Sequence, residues 1–326
     1  MGERLPLVSV VIPSYNAGPF IGRTIDSVMS QSYKNLEIVV VDDGSSDGTP
    51  DIVARFGDPV RLILQHNDGV SAARNRAIAE ARGELIAFLD HDDVWYPEKL
   101  ERQVHLLSTR PEVGLVYSNA DFIDVTDHPM WTYLARPRLH RGQVLGRLFL
   151  DCFVPLLTVV VRARLLAEVG QFAAGWHIAE DYDLFLRFAE RTEVDYVDEV
   201  LAGYRIHRGN LSRDFTRRLL EEQEVLQACL VRNPGLKTEL GDAAIRLRMA
   251  GLRCEFGHAL LFQGRVRDAR AYFGRRMLGQ SLAALPLWAA GRLGPRFVTG
   301  ARRGYRQVRE GMSGLVNRAP IERRVA

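Results

Sequence analysis

The stretch Leu85-Ile-Ala-Phe-Leu-Asp-His-Asp-Asp93 joins five consecutive apolar residues to an acidic cluster. A short apolar run of this kind is typical of a strand that is buried on both faces of a parallel sheet. Ligands of such sheets bind beyond the carboxyl ends of the strands, which is where this cluster lies. Since Asp90, Asp92 and Asp93 repel one another, a divalent cation such as Mg²⁺ or Mn²⁺ is their natural complement. A helix N-cap before Pro97 is the alternative, but it would use Asp93 alone.

Apolar runs on both sides of this stretch alternate with helical patterns. Strands are predicted at 8–13, 37–41 and 61–64, with helices at 18–31 and 70–81. Strand–helix alternation indicates an α/β fold whose mostly parallel, Rossmann-like central sheet is flanked by helices. Beyond residue 114 the pattern is mixed, with strands at 115–117 and 157–161, long polar loops and a helix at 180–190.

Polar residues follow two other predicted strands. The first strand ends in Pro13-Ser-Tyr-Asn16, where an aromatic ring and an amide can bind a nucleobase, although an ordinary turn also favours these residues. The second strand ends in the adjacent carboxylates Asp42 and Asp43, followed by a turn in which Asp47 or Thr49 can cap a helix. Two carboxylates at the end of a buried strand are costly unless they are satisfied or used. These residues are therefore candidates for binding a ribose or a base.

Two later segments carry further candidates. Glu180-Asp-Tyr-Asp183 begins a predicted helix, where acidic residues favour the helix dipole, but one of these carboxylates can instead serve as a general base. His207 follows Tyr204-Arg-Ile206, and a lone histidine is more often structural than a ligand.

Length and charge indicate two parts. At 326 residues the chain is too long for one ordinary domain and too short for three. Residues 1–214 carry a net charge of −9 and residues 215–326 a net charge of +12, which suggests different partners. We predict a catalytic domain over 1–214 and a basic α-helical extension over 215–326. Three cysteines, odd in number and far apart, favour buried thiols over disulfides or a zinc site.

Five segments, in this order and spacing, resemble the family 2 glycosyltransferases, which have the GT-A fold. The resemblance covers about residues 7–212, and the segments that carry it are 8–16, 41–49, 73–75, 83–93 and 180–184. It implies a GT-A type sheet, an inverting mechanism and a nucleotide-sugar donor, most commonly a UDP-sugar. No Gly-x-Gly-x-x-Gly follows a strand, so the fingerprint of a dinucleotide dehydrogenase is missing.

The same resemblance assigns roles to individual positions. It implies a nucleotide-binding set made of Pro13, Ser14, Tyr15, Asn16, Asp42, Asp43, Arg74, Asn75 and Asp90. Within that set, Tyr15 would flank the base and Asp43 would bind the base or ribose. The implied metal set is Asp92, Asp90 and His207, with Mn²⁺ or Mg²⁺ on the donor diphosphate. Asp181 matches the catalytic base of the family.

The predicted reaction moves one sugar to a hydroxyl of a glycan or a lipid-linked saccharide. The Gln-x-x-Arg-Trp motif of processive synthases is missing, which favours addition of a single sugar. Two alternatives stay open at this point: a nucleotidyltransferase, although the loop 44–48 contains no Lys or Arg for phosphates, and a non-catalytic nucleotide-sugar-binding or scaffold protein.

The basic C-terminal segment suggests a location for the protein. The chain opens without a secretory pattern, and no window approaches the ~20 apolar residues of a membrane span, so we expect a cytoplasmic protein. Residues 264–326 hold 14 Arg and 3 acidic residues with apolar side chains interleaved. Such helices can lie on the anionic inner face of a membrane, or they can pack on the catalytic domain or on a second subunit of a homo-oligomer. The acidic catalytic half argues against nucleic acid as a partner.

Overall fold

A computed structural model describes residues 5–133, 139–263 and 265–273, and it divides the chain into two compact units. One unit comprises Met1–Arg213 with Glu224–Pro234, and the other comprises Asp214–Gln223 with Gly235–Ala326. Residues 224–234 thus group with the first unit, where Arg232 pairs with Glu190 of a neighbouring helix (3.0 Å). The predicted boundary after residue 214 stays a prediction.

The strands of the described residues form a single nine-stranded sheet in the first unit. In chain order they are β1 Val8–Ser14, β2 Leu36–Asp42, β3 Val60–Leu64, β4 Leu85–Phe88, β5 Val94–Trp95, β6 Val113–Ile123, β7 Pro129–Thr132, β8 Val160–Arg162 and β9 Glu193–Arg205. Their spatial order is β3-β2-β1-β4-β8-β6-β9-β5, and β7 pairs with β6 outside this path. β1 to β4 are parallel to one another, whereas β8 runs antiparallel to both β4 and β6. The predicted α/β fold, with a mostly parallel central sheet, is confirmed.

Helices of the first unit cover this sheet. They are α1 Ile21–Met29, α2 Thr49–Ala54, α3 Val70–Glu80, α4 Lys99–Thr109, α5 Leu145–Leu150, α6 Ala163–Val169 and α7 Glu180–Ala189. α3 packs on β1 and β2, and every residue of β1 is buried, which explains why that strand is mostly apolar. α3 therefore stands beside the strand ends where the candidate residues lie.

Several strands differ from the sequence prediction, and the short strands β5 and β7 were not predicted. β6 extends from Val113 to Ile123 rather than over three residues, and the run 157–161 divides into a 3₁₀ turn, Leu156–Thr158, followed by β8. β9 was not predicted, because acidic residues alternate with apolar ones along Glu193–Val200 and leave no continuous apolar run. β9 lies beside β6, and its exposed residues, Asp198 and Glu199, fall in the middle of the strand.

The C-terminal region is helical as far as it is described, as the sequence predicts. Its helices are α8 Phe215–Arg232, α9 Leu236–Leu240, α10 Asp242–Phe262 and α11 Val266–Ala269. Among the described residues no helix combines the length and the hydropathy needed to cross a membrane. Most of the basic segment 264–326, on which the membrane prediction rests, lies outside the described residues.

Candidate active site

The candidate residues converge where the sheet changes direction. Strand order runs outward from β1 to β2 and β3 on one side, while β4 lies on the other side of β1. In open α/β sheets the crevice at such a switch point, beyond the carboxyl ends of the strands, is the usual place for a ligand. The residues after β1, β2 and β4 border this crevice, as the sequence predicts.

The residues after β1 present two side chains to solvent. Tyr15 is 47% exposed, and Asn16 adopts a positive φ of 48°. The Asn16 amide accepts a hydrogen bond from the backbone N–H of Ser46 (2.9 Å), which joins this turn to the loop after β2. Pro13 and Ser14, by contrast, are buried, so they can reach a nucleotide through the backbone rather than through their side chains.

Asp42 and Asp43 are adjacent but hold different loops. The Asp42 carboxylate accepts hydrogen bonds from the backbone N–H (2.9 Å) and hydroxyl (2.6 Å) of Ser45, and so it closes its own turn. Asp43 accepts from the Gln65 amide (2.7 Å) and from the backbone N–H groups of Asp68 and Gly69 (both 2.9 Å). Asp43 therefore fixes the loop that leads into α3.

Arg74 connects the two acidic motifs. This α3 side chain is 5% exposed, and its guanidinium donates to Asp90 (2.7 Å) and to Glu180 (2.6 Å). The two carboxylates hold the pKa of Arg74 above its ordinary value despite the opposing effect of burial. Asp90 follows β4 and Glu180 begins α7, so one buried cation brings the end of the central sheet and the start of α7 to the same place.

Helix α3 also anchors the loop that precedes α7. The Asn75 side chain donates to the carbonyl of Phe172 (2.8 Å) and accepts from its N–H (2.9 Å), while the Phe172 ring lies against the Arg74 guanidinium. Ser71 donates to the carbonyl of Trp176 (3.4 Å). The Asn75 amide thus holds this loop, and its assignment to the nucleotide site stays a prediction.

Asp181 occupies the first turn of α7, beside this bridge. It accepts a hydrogen bond from the backbone N–H of Tyr182 (2.6 Å). Burial, together with the negative charge of Glu180, raises the pKa of Asp181 to about 7, and the nearby Arg74 opposes that rise. A carboxyl group with a pKa near the working pH can accept a proton during a reaction, as a general base must.

Asp92 and His207 are in contact. The distance from His207 Nε2 to Asp92 Oδ2 is 2.7 Å, and the Gly209 N–H donates to His207 Nδ1 (3.1 Å). This pattern assigns the proton to Nε2, so His207 donates to Asp92. Burial would raise the pKa of Asp92, but the hydrogen bond from His207 and the fields of the His91 and His207 rings keep it below its ordinary value.

Arg205, which the sequence interpretation passed over, supports Asp92 and Asp93 from β9. Its fully buried guanidinium donates to the carbonyl of Asp92 (2.6 Å), and its backbone N–H donates to the Asp93 carboxylate (2.8 Å). Burial and the charges of Asp92 and Asp90 raise the pKa of Asp93 well above its ordinary value. Asp93 is therefore a buried structural group rather than a third cation ligand.

The donor groups suit a divalent ion that is shared with a substrate. No group of three or more His, Cys, Asp or Glu side chains within the described ranges is arranged to hold a metal. Mg²⁺ is usually bound through one or two carboxylates and the phosphates of the substrate, so a preformed cage is not required. The Asp92 carboxylate, ionised at neutral pH, is the protein ligand of the right chemistry, while Asp90 is 30% exposed and already bonded to Arg74.

Sequence comparisons agree with this geometry. The sequence model of Glycosyl transferase family 2 matches residues 9–162. An uncharacterized glycosyltransferase of Rickettsia typhi is 33% identical over 224 residues, which span 68% of this chain and 70% of the relative. The chain belongs to the family 2 glycosyltransferases. This family membership makes it a glycosyltransferase, and it argues against both the nucleotidyltransferase and the non-catalytic alternatives.

Relatives with assigned activities and solved structures extend the comparison. The Escherichia coli UDP-Glc:alpha-D-GlcNAc-diphosphoundecaprenol beta-1,3-glucosyltransferase WfgD is 32% identical over 232 residues, 70% of this chain and 88% of the relative. The mannosyltransferase PcManGT of Pyrobaculum calidifontis, in complex with GDP-Man and Mn²⁺, superposes with a TM-score of 0.61 at 23% identity and covers 93% of this chain and 85% of its own. S. aureus TarS 1-349, in complex with UDP-GlcNAc, superposes with a TM-score of 0.56 at 17% identity. The match covers 93% of this chain and 92% of the TarS chain. The structures confirm the GT-A fold.

We expect Arg74→Met to lower the free energy of unfolding by roughly 3–5 kcal/mol, because it leaves the buried Glu180 carboxylate without its cation. Arg76→Met is the matched control on the same helix: Arg76 is 55% exposed and pairs with Glu80, so its loss should cost less than about 1 kcal/mol. Urea denaturation of the full chain measures both.

The double variant Arg74→Met/Glu180→Gln should recover part of the loss, because the uncompensated charge is then gone. Equal effects of Arg74→Met and Arg76→Met would contradict the bridge.

Proposed function

We propose that this glycosyltransferase moves one sugar from a nucleotide-diphosphate sugar, with UDP as the preferred nucleotide, to a hydroxyl of a saccharide acceptor, and that a single displacement inverts the anomeric centre. The observation that carries this proposal is the Arg74 bridge between Asp90 and Glu180, which is the chain neighbour of Asp181. Support comes also from WfgD, whose name specifies UDP-Glc, and from TarS and PcManGT, whose structures contain UDP-GlcNAc and GDP-Man.

Asp181 serves as the base in this proposal. A sugar hydroxyl is a weak nucleophile, so a carboxylate must take its proton as the new bond forms, which typically contributes 10²–10⁴-fold to the rate. The raised pKa of Asp181 gives it proton affinity near neutral pH. Glu180 is unsuited to the task, because one of its carboxylate oxygens bonds Arg74 and its side chain is only 7% exposed.

The donor occupies the crevice beyond β1, β2 and β4. The exposed ring of Tyr15 lies against the base, Asp43 shapes the floor of the base and ribose site, and Asp90 lies nearer the ribose. Asp92 would hold Mn²⁺ or Mg²⁺ in this site. A bound divalent cation supplies Lewis-acid neutralisation of the leaving group's charge. His207 keeps Asp92 oriented and ionised through its 2.7 Å contact, so we place it beside the metal site.

Lipid-linked saccharides are the acceptor class that we favour. The two glucosyltransferases of Escherichia coli among the relatives, WfaP and WfgD, act on a diphosphoundecaprenol-linked GlcNAc. A lipid-linked acceptor would keep the enzyme at a membrane surface, and the basic residues of 264–326 can supply about 1 kcal/mol each near an anionic leaflet. We therefore propose a cytoplasmic enzyme in peripheral contact with the inner face of the membrane.

Two isosteric variants should separate the proposed roles. Asp181→Asn should leave binding of UDP with Mn²⁺ intact and lower kcat by about 10²-fold or more, because the amide cannot take a proton. Asp92→Asn should remove the Mn²⁺ dependence of UDP binding. Calorimetry of UDP binding and turnover of radiolabelled UDP-sugar measure both effects. Weaker UDP binding with unchanged kcat in Asp181→Asn would make it a binding residue, and normal turnover of Asp92→Asn in Mn²⁺ would remove Asp92 from the metal site.

Co-sedimentation with anionic vesicles tests the membrane contact. The full chain should bind phosphatidylglycerol vesicles at low salt and release them at high salt, because the attraction is electrostatic. A truncation after residue 273 should not bind. Unlike a truncation after residue 214, it retains residues 224–234, which belong to the first unit. Equal binding of both proteins, or none by the full chain, would assign the basic segment a structural role.

A further inference from the structure

Four aromatic rings form a continuous surface across three neighbouring strands. Phe122 of β6 is paired with Trp131 of β7 on one side and with Tyr204 of β9 on the other, so the three side chains share a face of the sheet. Tyr133, two residues beyond Trp131, stacks on Phe122 with ring centroids 5.0 Å apart. The Phe122 centroid lies 5.2 Å from that of Trp131 and 5.5 Å from that of Tyr204. We call these four residues the aromatic face.

The outer part of the aromatic face is open to solvent. Trp131 is 55% exposed and Tyr133 is 38% exposed. Isolated exposed apolar residues need no explanation, but a contiguous group of large rings usually marks a binding surface. β7 pairs only with β6 among the described strands, so it is an edge strand there.

The inner end of the aromatic face adjoins the catalytic crevice. Tyr204 lies beside the acidic cluster, because its neighbour Gly203 in β9 pairs with Val94 of β5, the residue that follows Asp93. The Tyr204 hydroxyl bonds Ser212 (2.8 Å), two residues after Asn210, whose amide lies 3.4 Å from the Asp92 carboxylate. Burial and the charges of Asp93, Asp92 and Asp90 raise the pKa of Tyr204, as expected for a ring at the edge of the acidic cluster. The face therefore leads from Asp92 out to solvent.

The position of the hairpin is also fixed to the acidic cluster. Arg205 donates to the carbonyl of Asp124 (3.1 Å) and pairs with Asp127, both in the turn between β6 and β7. Arg23 of α1 pairs with the same Asp127 (2.8 Å). Since one buried arginine holds both Asp92 and this turn, the exposed rings stay at a fixed distance from the donor site.

We propose that the aromatic face is the acceptor subsite, and that a pyranose ring of the saccharide acceptor stacks on Trp131 and Tyr133. This inference rests on the proposed function and extends it to the acceptor. Pyranose rings present flat patches of C–H groups, which pack against the faces of aromatic side chains, while their hydroxyls stay in water. A half-exposed surface of rigid rings suits such a ligand, because it offers apolar contact without requiring the hydroxyls to lose their solvent.

A saccharide fits this surface better than an acyl chain does. A lipid chain gains most from an enclosed apolar groove that removes it from water, whereas Trp131 and Tyr133 are open to solvent.

The test uses methyl and decyl pyranosides of glucose, galactose, mannose and N-acetylglucosamine as probes, with UDP and Mn²⁺ present. Saturation-transfer NMR on the full chain should detect a methyl pyranoside whose binding is about tenfold weaker in Trp131→Ala. Trp131→Phe should restore most of that affinity, because it returns an aromatic ring. Met130→Ala is the matched control, since Met130 is a 42% exposed neighbour on the other side of β7.

UDP binding separates the two claims. If the wild-type chain does not bind UDP with Mn²⁺, the proposed function fails. If UDP binds, any of three results overturns the subsite. The first is that pyranosides bind equally well to wild type and Trp131→Ala, or to neither. The second is that binding requires the decyl chain whatever the sugar. The third is that wild type is a dimer that dissociates in Trp131→Ala. Loss of methyl pyranoside affinity in Trp131→Ala alone, with UDP affinity unchanged in all variants, establishes it.

Discussion

The ion-pair bridge from Asp90 through Arg74 to Glu180 is the interaction on which the rest of the site depends. The guanidinium is nearly fully buried, so its charge has to be balanced inside the protein, and only carboxylates from two distant parts of the chain do so. Asp90 belongs to the end of the central sheet and Glu180 to the start of α7. Balancing one cation therefore fixes the distance between the donor crevice and Asp181, and leaves Asp181 in an environment that raises its pKa.

A second buried arginine organises the opposite side of the crevice. Arg205 binds the backbone of Asp92, the carboxylate of Asp93 and the turn between β6 and β7. The sequence of the cluster suggests three cation ligands, but Asp93 is buried and is not one of them. Arg74 thus joins the proposed base to the proposed donor site, and Arg205 joins the turn between β6 and β7 to Asp92.

The sequence predicted what depends on local pattern. The strands β1, β2 and β4 are recognisable because they are largely buried and therefore mostly apolar, and the position of their polar ends follows from the sheet. β9 was missed because its acidic residues interrupt that pattern. Within the site, Asp42 and Asp43 look equivalent in the sequence, and only tertiary contacts show that one closes its own turn and the other holds the loop before α3. The sequence indicates only that Glu180 interacts favourably with the dipole of its helix. Its ion pair with Arg74 is not visible there, because the two residues are 106 positions apart.

The most direct test of this account is the pH dependence of kcat/KM for the UDP-sugar, which reports the groups of the free enzyme, because the bridge matters for function only if it supplies a base. Asp181 must be ionised to accept a proton, and its pKa is raised to about 7, so kcat/KM should rise with pH through this value. In Asp181→Asn the residual turnover should show no such rise. A rising limb near pH 7 that persists in Asp181→Asn would contradict the account, because another group would then be the base.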